Sequence, residues 1–128
     1  MKFTTSLNKN HEFRKLYNKG KSVGSQLIVI YCLKNYKTNN HLGITVSKKI
    51  GGAVQRNRVR RQLKEIYRIN EEKLIIGYDI VIVARVKSRF SEYRELEASV
   101  ISLLKRLGIF KAEQPEALKN EKSVDNTG

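Results

Sequence analysis

The amino-acid sequence predicts an α+β fold, a two-layer sandwich of helices on one small mixed sheet. Two observations carry this. Residues 27–33 (LIVIYCL) and 79–85 (DIVIVAR) are short apolar runs rich in β-branched residues, as buried strands are. Between and after them, apolar residues recur at helical spacing: first Val59, Leu63, Ile66 and Tyr67, then Leu96, Val100, Leu103, Leu104 and Leu107. A chain of 128 residues suits one domain with a real core.

Taken in order, residues 1–7 are polar and read as a mobile lead-in. A helix follows from Asn8 or Asn10 as N-cap to a stop at Gly20, with Phe13, Leu16 and Tyr17 as its apolar stripe. Residues 22–25 read as a turn, and residues 21–23 leave room for a short extra strand. The run at 27–33 is the first long strand and residues 42–47 the second. The polar segment between them (NYKTNNH, 35–41) has turn chemistry, so the two are expected to pair as a hairpin with a long loop. A basic helix starts near Ala53 and ends within residues 70–73. The run at 79–85 is apolar at successive positions, which predicts a strand covered on both faces. Ser91 caps a last helix, Glu92 and Glu95 sit in its first turn, and Gly108 stops it. No internal repeat is visible. Residues 111–128 hold the only proline, three Lys and four acids, and read as a disordered tail. The domain is therefore residues 1–110, which carry +15 against +14 for the whole chain.

Such a charge repels itself in a compact domain and implies a polyanionic partner. A membrane is the weaker choice: no apolar run approaches the ~18 residues of a span, and the opening residues lack an apolar signal core. The single Cys32 excludes an intrachain disulfide framework and fits a reducing, cytoplasmic setting. His11 and His41, with no Cys pair, signal no metal site.

The charge concentrates in residues 48–68 (KKIGGAVQRNRVRRQLKEIYR), which hold eight Lys or Arg and one acid, Glu65. With Val59, Leu63, Ile66 and Tyr67 turned inward, Arg60, Arg61, Lys64 and Arg68 point away from the core. Arg56 and Arg58 fall near the helix start, where backbone N–H groups already favour anions over cations. An ordinary solvated basic face would carry interleaved acids at i,i+4, and these are nearly absent. Gly51 and Gly52 let the backbone approach a ligand. These features point to nucleic acid.

Autonomous catalysis has little support. The acids before residue 111 are Glu12, Glu65, Glu71, Glu72, Asp79, Glu92, Glu95 and Glu97, with no clustered carboxylate motif for Mg²⁺, and no nucleophile signature is present. Phe13 and Tyr17 share a helix face and Tyr31 lies on the first long strand, so the three can line a base-stacking groove or belong to the core. Spacing alone favours the core.

At VSKKIGGAVQRNRVRRQLKEIYR the sequence closely resembles the bacterial ribonuclease P protein family. The match runs through Lys48, Lys49, Gly51, Ala53, Val54, Arg56, Asn57, Arg58, Arg60 and Arg61, and extends over about residues 5–110, including FRKLYNKGKS and DIVIVAR. Gly52 and Lys64 depart from it, standing where Lys and Arg are common; Lys64 keeps the charge but not the bidentate geometry. The resemblance implies a ribosomal-protein-like fold with a left-handed β-α-β crossover from 42–47 through the basic helix to 79–85, against the usual right-handed rule. It implies a catalytic RNA as partner, the two together removing the 5′ leader from precursor tRNA, with Mg²⁺ held mainly by RNA. Lys48, Lys49, Arg56, Asn57, Arg58, Arg60, Arg61, Lys64 and Arg68 would face the catalytic RNA. Phe13, Tyr17 and Tyr31 would form the leader groove, which reverses the preference for the core. No obligate protein partner is implied. The other reading from the residues is a structural, ribosomal-type RNA-binding protein with no role in cleavage.

Overall fold

The computed structural model describes residues 1–111; the tail expected to be disordered otherwise lies outside the described residues. The elements are β1 (Thr4–Ser6), α1 (Asn10–Lys19), β2 (Lys21–Gly24), β3 (Ile28–Lys34), β4 (Asn40–Val46), α2 (Ala53–Asn70), β5 (Tyr78–Ala84) and α3 (Tyr93–Arg106). Short 3-10 turns occupy Lys48–Ile50, Glu71–Lys73 and Val86–Phe90. Both long strand runs, the three helices and the optional strand β2 are where the sequence places them.

The five strands form one mixed sheet in the order β1-β4-β5-β3-β2. This corrects the expected hairpin: β3 and β4 are separated by β5, antiparallel to β3 and parallel to β4. Turn chemistry at 35–39 says that the chain turns, not which strand it meets. The partner is set by burial, because β5 is apolar on both faces and takes the centre. The loop is tied to the start of β5 instead, where Asn35 N–H donates to the Gly77 carbonyl (2.8 Å).

Alternation along the strands divides the core. Ile28, Ile30 and Cys32 of β3, Leu42 and Val46 of β4, and Ile80, Ile82 and Ala84 of β5 face α2 and α3. Val81 faces Leu16 of α1 and Leu7 on the other side, with Tyr31, Leu33 and Val83 beside them. The sheet thus carries helices on both faces, so the two layers expected become three with α1 on the second face, and β5 is covered on both as predicted.

Chirality fixes the hand of the β4-α2-β5 connection. Asn40 N–H donates to Phe3 O (2.8 Å) and Leu42 O accepts from Leu7 N–H (3.0 Å), so these two residues turn their backbone groups toward β1. The Leu42 side chain faces α2. Seen from its side-chain side with the chain running upward, an L-residue in a strand points N–H and C=O to the right. Viewed from α2, β1 therefore lies right of β4 and β5 left of it, and the crossover is left-handed.

The N-terminus is the second correction. Residues 1–7 are not a mobile lead-in: β1 pairs in parallel with β4, and Leu7 is buried. The Glu71 carboxylate accepts the amides of Lys2 (2.9 Å) and Phe3 (3.2 Å), and Thr4 Oγ1 meets Tyr67 Oη at 3.0 Å. Helix caps also differ by a residue or two. Lys9 precedes α1, its N–H donating to Glu12 (3.2 Å), and Glu92 precedes α3, its N–H donating to Glu95 (2.9 Å). Ser91 instead donates to Ser88 O (2.9 Å). Among the described residues, no helix is long and apolar enough to cross a membrane.

Candidate nucleic-acid interface

The basic helix is set up by the turn before it. Ser47 Oγ accepts from Lys49 N–H (3.3 Å), and Gly51 adopts φ 148°, ψ −159°, a conformation open essentially to glycine alone. Gly52 then stands at the N-cap, where it has no side-chain oxygen to offer, and the first turn of α2 contains no acid. The opening amides are left positive and without a side-chain cap. Burial of Val59, Leu63, Ile66, Tyr67 and Asn70 fixes the rotation of α2. Lys48, Lys49, Asn57, Arg60, Arg61, Lys64 and Arg68 are exposed, while Arg56 and Arg58 are half-buried.

These cations are not equally free. Arg68 donates to both carboxylate oxygens of Glu65 (2.9 and 2.6 Å), and that hydrogen bond holds the Glu65 carboxyl below its ordinary range. Arg58 donates through Nη1 to Gln62 Oε1 (3.2 Å) and through Nη2 to the Arg89 carbonyl, joining α2 to the Val86–Phe90 turn. Arg60 makes a long contact to Asn57 Oδ1 (3.5 Å). The Arg56 Nε is buried with no protein partner. Lys48, Lys49, Arg61 and Lys64 have side chains without a hydrogen bond or ion pair among the described residues.

The three aromatic residues come together. Tyr17 meets Tyr31 edge to face at 4.9 Å between centroids, and Phe13 lies 6.4 Å from Tyr17. Phe13 and Tyr31 are half-buried against the Leu7–Leu16–Val81 cluster, while Tyr17 is 41% exposed. They form the outer layer of that core and one continuous aromatic wall. Gly43 makes the wall possible, since a Cβ there would stand 2.7 Å from the Phe13 ring. A cleft of about 370 Å³ opens beside Phe13, and Arg60 and Lys64 are also in its lining. One member of the aromatic set, Phe13, and two of the basic set, Arg60 and Lys64, thus line one depression, while Tyr17 and Tyr31 continue the aromatic wall outside it.

A model of the family described as Ribonuclease P matches residues 1–108. The chain belongs to the ribonuclease P protein family. Among its relatives, the ribonuclease P protein component of Clostridioides difficile (strain 630) is 48% identical over 107 residues, covering 83% of this chain and 94% of that protein. The protein component of Alkaliphilus oremlandii (strain OhILAs) is 46% identical over 109 residues, covering 85% and 96%. Among solved structures, the Staphylococcus aureus RNase P protein superposes with a TM-score of 0.77 at 31% identity, covering 82% of this chain and 96% of that one. The Thermotoga maritima RNase P protein gives 0.73 at 30%, covering 79% and 96%.

Within this ribonuclease P fold, two parts of the surface escaped sequence reasoning. Thr4, Leu7 and Asn8 line the cleft, yet their segment reads as featureless polar chain. Only Gly43 inside a strand, a mark of close approach, hinted at the neighbourhood. The second part is the Arg89–Phe90 pair, taken up below. Of the two histidines, His11 is exposed, and His41 Nδ1 bonds Asp79 Oδ1 (2.7 Å), which also accepts from Asn35 (2.9 Å). Among the described residues no group of three or more His, Cys, Asp or Glu could hold a metal ion.

Proposed function

We propose that this chain, as the protein component of ribonuclease P, grips the catalytic RNA along α2 and receives the 5′ leader of precursor tRNA in the aromatic cleft. The observation that carries the reading is that Phe13, Arg60 and Lys64 line one depression. A single-stranded leader needs a stacking surface for bases and cations for phosphates, and both are within reach there. Lys48, Lys49, Asn57, Arg61 and the uncapped start of α2 face outward beside it and suit the phosphates of a larger RNA. Arg56 and Arg58 shape this end of the surface, and Arg68 contributes once Glu65 is displaced.

On this reading, hydrolysis belongs to the RNA, and Mg²⁺ is held by RNA and substrate. The protein adds affinity for the leader and lowers the Mg²⁺ needed by neutralising phosphate. The test is precursor-tRNA cleavage at near-physiological Mg²⁺ with protein alone, ribonuclease P RNA alone, and both. Release of the 5′ leader should be strong only in the mixture. Cleavage by protein alone would place the chemistry on this chain, and tight RNA binding without stimulation would make it a structural RNA-binding protein.

A further inference from the structure

Phe90 is 81% exposed at the end of the Val86–Phe90 turn, an unfavourable position for a large apolar ring. The turn that presents it is not loose. Ser88 and Ser91 are buried, with Ser88 Oγ donating to Arg85 O (2.7 Å) and Ser91 Oγ to Ser88 O. Arg85 Nη1 donates to Ser25 O (3.0 Å) and Lys87 Nζ to Gln26 Oε1 (3.3 Å), tying the turn to the start of β3. Arg58 of α2 holds it from the other side at the Arg89 carbonyl. The fold therefore fixes Phe90 in solvent.

The ring is also charged from behind. The Arg89 guanidinium lies 4.9 Å from the Phe90 centroid, and the ring is still largely exposed. Residues 85–94 contain Arg85, Lys87, Arg89 and Arg94 and a single acid, Glu92, whose side chain is turned onto the first-turn amide of α3. A rigid ring backed by a guanidinium, in a segment with four cations and one acid, suits a base with its phosphates, not an apolar protein groove.

We infer that Phe90 is a stacking platform for one unpaired base of the catalytic RNA, adjoining the α2 surface through Arg58. This rests on the reading of the catalytic RNA as partner. The platform is separate from the leader cleft, since neither Phe90 nor any other residue of its turn lines that cleft.

The test is titration of ribonuclease P RNA with the full chain and three variants, with Arg61→Ala as a reference for the α2 surface. Phe90→Ala should weaken binding about 5- to 150-fold, the range for one lost base stack, with an unchanged salt slope and an unchanged melting temperature. Phe90→Leu should be nearly as weak, and Phe90→Trp should restore binding. The chain has no Trp, so the introduced indole is the only one, and its fluorescence should be quenched by the RNA. Binding by Phe90→Ala equal to that of the unaltered chain, while Arg61→Ala binds weakly, would overturn the platform. Full rescue by Phe90→Leu would also overturn it, as the mark of an apolar contact to a protein or a second copy. If the unaltered chain fails to bind the RNA, the parent reading falls and the platform with it, an outcome recognisable because Arg61→Ala then changes nothing.

Discussion

Arg60 and Arg68 are both exposed cations of α2, yet only Arg60 is available to an anion at little cost. Arg68 is held bidentate by Glu65, and RNA must displace that carboxylate before gaining the charge. Arg60→Ala should therefore weaken RNA binding by about 1–3 kcal/mol and flatten the log–log salt dependence by about 0.7–0.9, with little change in melting temperature. Arg68→Ala should cost less in the same titrations across salt, and Glu65→Ala should strengthen binding. The reverse order would show that Arg68 works as part of an ion pair presented to the RNA. The charge of every one of these residues is plain in the sequence, and the Glu65–Arg68 spacing of three makes that pair readable too. The commitment of Arg58 is not readable, because its partner is a backbone carbonyl 31 positions away. Nor is the Phe13–Gly43 contact, since a glycine in a strand says that something approaches without saying what.

Among the elements, β1 has the least sequence signal and the most direct bearing on the cleft. It is three residues long and is held by Glu71, at the end of α2. Burial alone would raise the Glu71 carboxyl, but the Thr4 hydroxyl and the Lys2 and Phe3 amides outweigh it and hold the group below its ordinary range. A carboxyl depressed in the folded state contributes stability that is present above its unfolded pKa of about 4.3 and lost as pH falls through the lower folded value. Acid should thus release the β1 strap before the main core, seen as a loss of exchange protection at the Lys2 and Phe3 amides below about pH 4. Glu71→Gln should lower that protection already at neutral pH and remove its fall in acid, whereas protection unchanged by the substitution would show that β4 alone holds β1. The long elements were legible because each carries its own period: α2 and α3 through their apolar stripes, β3 and β5 through β-branched runs. β1 was not, because its hold comes from backbone amides meeting a distant acid. The pairing of β3 and β4 was misread for a related reason, since a turn reports a reversal of the chain while burial chooses the neighbour.

For the molecule as a whole, a net charge of +14 implies a polyanionic partner, as a protein of the ribonuclease P family has in RNA. The class of partner was legible from composition, and the family from the ordered run at Lys48–Arg61. The arrangement of two surfaces around one cleft was not, because it depends on β5 entering between β3 and β4 and on the left-handed crossover that carries α2 across the sheet. The central claim is that α2 serves the catalytic RNA while the aromatic wall reads the leader. The measurement that tests it most directly is the affinity of the reconstituted holoenzyme for leader-bearing precursor relative to mature tRNA, with the unaltered chain and with Tyr31→Ala. The account predicts that Tyr31→Ala weakens the precursor by about 1–3 kcal/mol, the worth of one lost base stack, and leaves mature tRNA unchanged. Equal losses for both ligands would contradict it and remove the leader from the aromatic wall.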